Sequence, residues 1–511
     1  MVTPAAMAVM VAAGMDADGQ GFGSAGAQQG QGESCGNQFF HGGFLKRNSN
    51  HGKQRGELKP GSVLGELVIG SRLTDAGAKN GAGVMEATRS EADAILRRAA
   101  WRLVPLILAM YVAAFLNRVN VGFAALTMNQ DLGFTPEIYG NGAGIFFWGY
   151  LLFEVPSNLI MEKVGARIWI CRIMLTWGLV SMATAFVSGP YSFYAMRFVL
   201  GLAEAGLYPG ILLYFTYWFP AATRARIIAL FCMGIPVANL LGSPLSGWLL
   251  GIETAGLHGW QWMYLLEAIP TLLLGFAVLI WMPDNPAKAK WLTASEKTAV
   301  LARLAADPKA QVHGLTEMMW DWRVWALMIP DFGIVFGIYA LGLWMPTMVK
   351  AMGYSNLQTS FVVMVPYVFS LAILWAFGVS SDRSGRRVLH FCLSALLASV
   401  GFAIAAIGGN DTIVIFGFCL ASGGVFSGLA TFWTVPPLFL GGTAAAGAFA
   451  LINSVGNLSG YFGPAMMGWL RQVTGDYKAG LWACVAVPII AALSMALLSK
   501  SLVSQSPARE S

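Results

Sequence analysis

Residues 111–126 read YVAAFLNRVNVGFAAL. Asn117, Arg118 and Asn120 interrupt a run that is otherwise almost wholly apolar. The rest of the chain says what solvent surrounds them. It is 56% hydrophobic and only 11% charged, where a soluble globular protein carries roughly 25% charged residues. The charges are bunched and leave long stretches nearly bare, the pattern of a polytopic membrane protein. The 60 glycines and 18 tryptophans agree, because glycine lets helices pack closely in lipid and tryptophan suits the interfaces.

From Arg102 onward, apolar runs fall near 103–126, 139–161, 168–188, 191–216, 226–251, 261–282, 324–348, 358–380, 388–408, 412–437, 444–469 and 480–499. Each has the roughly 20 residues that carry a helix across about 30 Å of hydrocarbon. Helices are required because a backbone in lipid must satisfy its own hydrogen bonds. The expected fold class is an all-α polytopic membrane protein with twelve transmembrane helices. The expected organisation is a disordered extension over 1–95, a six-helix bundle over 96–282, a linker with a short helix over 283–323, a second bundle over 324–500 and a tail over 501–511.

The extension contains GQGFGSAGAQQGQGESCGNQ, which has no hydrophobic period. Its GxGxxG (Gly21, Gly23, Gly26) has no preceding strand and carries no weight as a nucleotide site. AAMAVMVAAG is short for a signal peptide and lacks a basic start, and Met85 is an alternative initiation point.

Lysines and arginines set the orientation. Arg97, Arg98 and Arg102 precede the first span. Further basic residues lie after the second, fourth and eighth spans and fill the central linker; the alternate loops carry only Lys350, Arg471 and Lys478. The positive-inside rule places both termini and the linker in the cytoplasm, and the protein in the cytoplasmic (inner) membrane as a multi-pass chain. The net charge of +6 is thus a topology signal, and nucleic acid is not an expected partner. The six cysteines show no CxxC, the five histidines no metal spacing; no metal or cofactor is expected.

The chain also repeats. DLGFTPEIYG after the first span and AMGYSNLQTS after the seventh place Gly133 and Gly353 220 positions apart. The same offset pairs Glu162 with Asp382, Lys163 with Arg383, Gly165 with Gly385 and Arg167 with Arg387. Two homologous halves imply a site between them reachable from either side. In the linker, Thr293 and Glu296 form a capping box ahead of an amphipathic helix, whose charges read as a solvated face.

SDRSGRR, with Gly378 four positions before Asp382, resembles the major facilitator signature G-x-x-x-D-R-x-G-R-R. NLIMEKVGAR is a weaker first copy, with Asn158 and Glu162 for its Gly and Asp. NRVNVGFAALTMN, FFWGYLLFEVPSN, RFVLGLAEAGLYPG, YWFP, GWQWMYLLEAIP and LINSVGNLSG resemble the anion:cation symporter family within that superfamily. The resemblance covers about 95–500. It implies two pseudo-symmetric bundles, gating by Glu162, Lys163, Arg167, Asp382, Arg383 and Arg387, and proton-coupled uptake of tartrate-, phthalate- or hydroxyphenylacetate-like acids. It also implicates Glu204 in proton coupling and sets Tyr150 toward the substrate.

The embedded charges make their own case. An arginine at a helix centre costs about 2.5–3.5 kcal/mol on insertion scales, so Arg118 must face a cavity or a partner. Its planar donors suit a substrate carboxylate; the other reading is a structural pair with an acid on another helix. Arg197 and Glu204 are seven residues apart, hence on one helix face. Glu204 reads as the proton carrier or as a permanent partner of Arg197 or Arg118, and Arg197 as a gate or charge partner. Asn117 stands where the resemblance leads one to expect an aspartate, and an amide carries no proton. Asn453 and Asn457, at i and i+4 on one face, offer donors and acceptors to the pocket or bond between helices. Asp331 is a further embedded acid, while Glu154 and Glu267 read as structural. The glycine pairs Gly140/Gly144, Gly206/Gly210 and Gly456/Gly460 read as packing surfaces along which helices slide.

The expected function is a secondary carrier, with a small organic anion and protons as partners and a monomer in the bilayer. A non-concentrating facilitator, exchanger or carboxylate sensor is the alternative. With no GxxxxGK[ST] and no HExxH, an enzyme or ATP-driven pump is not expected.

Overall fold

A computed structural model of the chain describes residues 63–306, 321–436 and 444–503. Two compact units are distinguished, Met1–Ala87 and Thr88–Ser511. The described residues form sixteen α-helices and no strand. They are α1 (Val63–Val119), α2 (Val121–Asp131), α3 (Pro136–Val164), α4 (Ala166–Ala183), α5 (Pro190–Glu204), α6 (Leu207–Trp218), α7 (Ala221–Cys232) and α8 (Gly234–Leu249). After them come α9 (Gly259–Trp281), α10 (Ala294–Ala305), α11 (Trp322–Lys350), α12 (Asn356–Ser384), α13 (Arg387–Ile407), α14 (Asp411–Phe432), α15 (Ala444–Thr474) and α16 (Lys478–Val503).

One boundary moves. Residues 63–95, expected to be disordered, are the first part of α1. No proline occurs between 61 and 104, so nothing there removes a helical hydrogen bond. From Ala92 the buried positions recur as Ala92, Ile95, Leu96, Ala99 and Leu103, the spacing of one helical face. Residues 1–62 of the expected extension and 504–511 of the tail lie outside the described residues.

Among the described residues, ten helical segments are long and apolar enough to cross a bilayer, from Glu91–Asp131 to Lys478–Ser499. The other two expected spans are helical too. Residues 226–251 fall in α7 and α8, which break at Met233, and 444–469 fall in α15, which carries Asn453, Ser454, Asn457 and Ser459.

Within the first half α3 packs on α5 and α4 on α9; within the second α13 packs on α14 and α16, and α12 on α14. Three seams join the halves: α2 with α11, α3 with α15, and α8 with α12. The repeat maps the second of these onto the third and the first onto itself, as a pseudo-two-fold requires.

The seams close tightly at one end, where the loops 132–135, 250–258, 351–355 and 475–477 lie. A Cβ on Gly140 would sit 2.4 Å from the Pro464 carbonyl, and one on Gly468 would sit 2.4 Å from the Pro136 carbonyl. Gly122 meets the Gly342 carbonyl at 2.8 Å, and Gly144 the Tyr461 backbone at 2.9 Å. Tyr139 donates to the Leu343 carbonyl at 2.6 Å, and Tyr461 to Asn141 Oδ1 at 3.3 Å. Of the glycine pairs read from sequence as packing surfaces, Gly140/Gly144 makes backbone contacts here, while Gly206/Gly210 and Gly456/Gly460 lie against side chains.

At the opposite end the linker rests on the first half. The capping box forms, with Thr293 N donating to Glu296 Oε2 at 2.8 Å and Glu296 N to Thr293 Oγ1 at 3.3 Å. The helix face is not simply solvated: Glu296 pairs with Arg98, and Arg303 with Asp93 at 3.4 Å. Trp291 stacks on Trp218 and lies under Arg102.

Candidate functional site

Three helix breaks in the first half build the site. The first falls at Asn120, between α1 and α2, one turn after Asn117 and directly after Arg118 and Val119. Asn120 donates to Glu267 Oε2 at 3.0 Å, and Ser246 to Glu267 Oε1 at 2.6 Å. Asn117 donates to the Ala113 carbonyl at 2.8 Å and to Thr271 at 3.0 Å, and accepts from Ser181 at 2.8 Å. These bonds tie the break to α4, α8 and α9. They also occupy both ends of the Asn117 amide, which is 1% exposed and turned away from the cavity. Asn117, expected in the pocket, is thus held among neighbouring helices and does not line the cavity here, and Glu267 links the break to α8.

The second break follows Glu204. Ala205 leaves the helical region, Gly206 takes φ +90°, and α6 begins at Leu207. A Cβ at Gly206 would lie 2.1 Å from Ser157 Oγ. Glycine answers both needs, positive φ and close approach. The third break, at Met233, separates α7 from α8.

Arg118 and Glu204 meet between these breaks. Arg118 donates from Nε to Glu204 Oε1 at 3.1 Å and also from Nη2 to the same oxygen. Its Nη1 donates across the seam to Tyr339 on α11 at 2.9 Å. The guanidinium lies 5.3 Å from the Tyr150 ring, 5.4 Å from Phe146 and 5.9 Å from Phe115. The second oxygen of Glu204, Oε2, has no hydrogen-bond partner among the described residues. Of the sequence alternatives for Glu204, the structure shows the pair with Arg118. Arg197 stands apart: it donates to the Ala143 carbonyl at 3.1 Å, and its guanidinium lies 5.2 Å from the Phe146 ring that Arg118 also faces.

A cavity of about 60 Å³ opens beside this pair, between the halves. Its polar lining includes Arg118, Tyr150, Asp331, Tyr339, Asn453 and Asn457. Tyr150, Asn453 and Asn457 are thus brought together with Arg118 as expected. Asn453 also donates to Glu154 Oε1 at 3.3 Å, and Ser454 to Glu154 Oε2 at 2.7 Å, so Glu154 bridges α3 and α15. The volume holds a few waters; an organic acid needs the walls to part.

The six motif residues do not reach the cavity. Glu162, Lys163, Asp382 and Arg383 are exposed at the ends of α3 and α12, away from the sealed end. Arg167 bonds the Leu279 carbonyl, and its backbone N–H donates to Asp284 at 2.9 Å. Arg387 donates to the Thr434 carbonyl at 3.1 Å. No ion pair joins the two copies among the described residues.

Tyr339 is the contact that the sequence reading missed. Its signal was a lone hydroxyl in GIYALGLW, eight residues after Asp331 and so near the same helix face.

Comparison with known proteins adds an independent line. Residues 107–464 match the family model described as Major Facilitator Superfamily. A protein of Agrobacterium vitis named as a candidate tartrate transporter is 46% identical over 411 residues, covering 80% of this chain and 95% of that one. A Pseudomonas putida protein named as a candidate metabolite transport protein, NicT, is 41% identical over 419 residues, covering 81% and 96%. Among solved structures, a bacterial homologue of the human lysosomal transporter Spinster, in an inward-facing and occupied conformation, superposes with TM-score 0.64 at 15% identity, covering 80% of this chain and 98% of that one.

Proposed function

The chain belongs to the major facilitator superfamily, and from that premise we propose that it imports a small organic carboxylate together with protons, by alternating access. That it is a membrane transporter and not an enzyme follows from the family and from its relatives.

The carboxylate reading is carried by one observation: Arg118, paired with the buried Glu204, lines the cavity between the halves. The pair is neutral, which lowers the cost of holding an arginine at this depth. A substrate carboxylate competes for the same planar donors. When it takes them, Glu204 loses its counter-charge in a site shielded from water, and a proton on Glu204 restores the balance. Anion and proton then favour each other's binding, which is the coupling that symport requires. Arg118 is a ligand in this reading, Glu204 the proton site, and Tyr339, Tyr150, Asn453 and Asn457 complete the pocket. Arg197 holds α5 against α3 and keeps positive charge nearby. The Agrobacterium relative's name supports a tartrate-like acid as cargo.

With both termini cytoplasmic, as the basic loops indicate, the sealed end is the outer one and this state faces the cytoplasm. The exposed motif copies at the other end are the inner gate, and the protein acts as a monomer in the cytoplasmic membrane.

The test is uptake of labelled tartrate into proteoliposomes under an inward proton gradient. Glu204→Gln should lose gradient-driven accumulation while retaining counterflow exchange. Full accumulation by that variant would remove Glu204 from coupling, and wild-type uptake indifferent to a protonophore would make the protein a facilitator.

A further inference from the structure

Asp331 is an acid that lines the cavity and that the mechanism above leaves unused. It sits on α11, 1% exposed, and lines the cavity opposite the first half's charges. Its Oδ1 has no hydrogen-bond partner among the described residues, and it forms no ion pair there. A buried acceptor left unsatisfied is costly, so the position is not explained by packing. The carboxyl packs closely on α15: a Cβ on Gly456 would lie 1.9 Å from Asp331 Oδ2, so a larger residue there would displace the carboxyl.

The same helix face carries the other end of the pocket. Asp331, Val335 and Tyr339 follow at i, i+4 and i+8 and all line the cavity. Tyr339 holds Arg118. The pocket therefore has a donor pole at Arg118 and Tyr339. About two turns along α11, some 12 Å in rise, lies an acceptor pole at Asp331.

Resting on the carboxylate reading of the site, we propose that Asp331 accepts a hydrogen bond from a hydroxyl of the substrate. The transporter then selects hydroxylated carboxylic acids over the same acids without the hydroxyl. The carboxylate docks at Arg118 and the hydroxyl reaches toward α11. An acid lacking the hydroxyl leaves the buried acceptor unpaired, which is how a polar pocket rejects a close analogue.

The experiment compares binding of matched acids to the purified full-length protein in nanodiscs by calorimetry: 4-hydroxyphenylacetate with phenylacetate, and L-tartrate with succinate. The expected result is an affinity ratio of about tenfold or more in favour of the hydroxylated member of at least one pair. Asp331→Leu should cut that ratio to within about threefold, chiefly by weakening the hydroxylated acid. Gly456→Ala keeps the carboxyl but crowds Oδ2, and should lower the ratio in the same direction. A folded Asp331→Leu or Gly456→Ala protein that keeps the wild-type ratio overturns the inference. So does one that loses both acids of a pair equally, or a wild type with no preference. Arg118→Ala separates the two levels: it should lose both acids of a pair, and if it binds them as before the carboxylate reading itself fails.

Discussion

The two halves share a repeat and a helix plan, yet they are built differently. The first half breaks its helices at Asn120, at Ala205–Gly206 and at Met233. The first two breaks sit beside Arg118 and Glu204, the ion pair of the candidate site. The second half spans with helices such as α11 and α12, each 29 residues long and unbroken despite internal prolines. To the cavity it contributes Tyr339, Asp331, Asn453 and Asn457. A break frees backbone groups and lets a side chain leave the helix surface at an angle that a regular helix forbids. The first half spends regularity on placing a cation and its counter-ion. The second half supplies a stiff wall of neutral and acidic groups.

The largest expected effect tests where the binding energy resides. Arg118→Ala removes one partner of a buried pair, which costs about 3–5 kcal/mol of stability, and should abolish uptake of the proposed organic acid. Tyr339→Phe removes a single hydrogen bond to a charged group, about 1.5–3 kcal/mol. Uptake assays and thermal unfolding of both variants decide the matter: if Tyr339→Phe is as damaging as Arg118→Ala, the asymmetry between the halves is gone.

A middle-sized effect concerns the breaks themselves. Gly206→Ala meets both a left-handed backbone and Ser157 Oγ at 2.1 Å, and should cost on the order of 2 kcal/mol or more. Gly378, in the unbroken α12, has nothing within 4 Å of an added Cβ. Gly378→Ala should be neutral to about 1 kcal/mol stabilising. Equal melting temperatures for the two alanine variants would mean that the Gly206 break is not under this constraint.

The smallest effect lies in the linker, which is tied to the first half. Glu296 accepts from the Thr293 backbone and from Arg98, and these bonds hold its carboxyl below the ordinary carboxylate range. A depressed value in the fold means that the contribution is present above the unfolded value, near 4.3, and fades as pH falls through the folded one. The melting difference between wild type and Glu296→Gln should be small and positive at pH 7 and vanish in acid. A difference that grows on acidification would reverse the assignment.

Much of this was legible in the chain. The spans were, because lipid forces helices of fixed length and the apolar runs show their ends. Arg118 and Glu204 were, because charge in such runs is expensive wherever it points. The orientation of neighbours was not. Asn117 precedes Arg118 by one residue, about 100° around the helix, and only the packed structure shows that it turns toward Ser181 and Thr271 while Arg118 turns to the cavity. Tyr339 escaped because a tyrosine in an apolar span is unremarked until its hydroxyl finds a partner. Residues 63–95 escaped because glycine-rich composition upstream masked a proline-free helical stretch.

The sealed end has a consequence of its own. Its joints are glycine Cα atoms, carbonyls, an asparagine and two tyrosine hydroxyls, with no ion pair across the halves among the described residues. These contacts between the halves carry no charge, so acidity and ionic strength do not act on the contacts themselves. Whatever opens the sealed end must therefore be transmitted mechanically from the charged chamber beneath it, through helices stiff enough to carry the message.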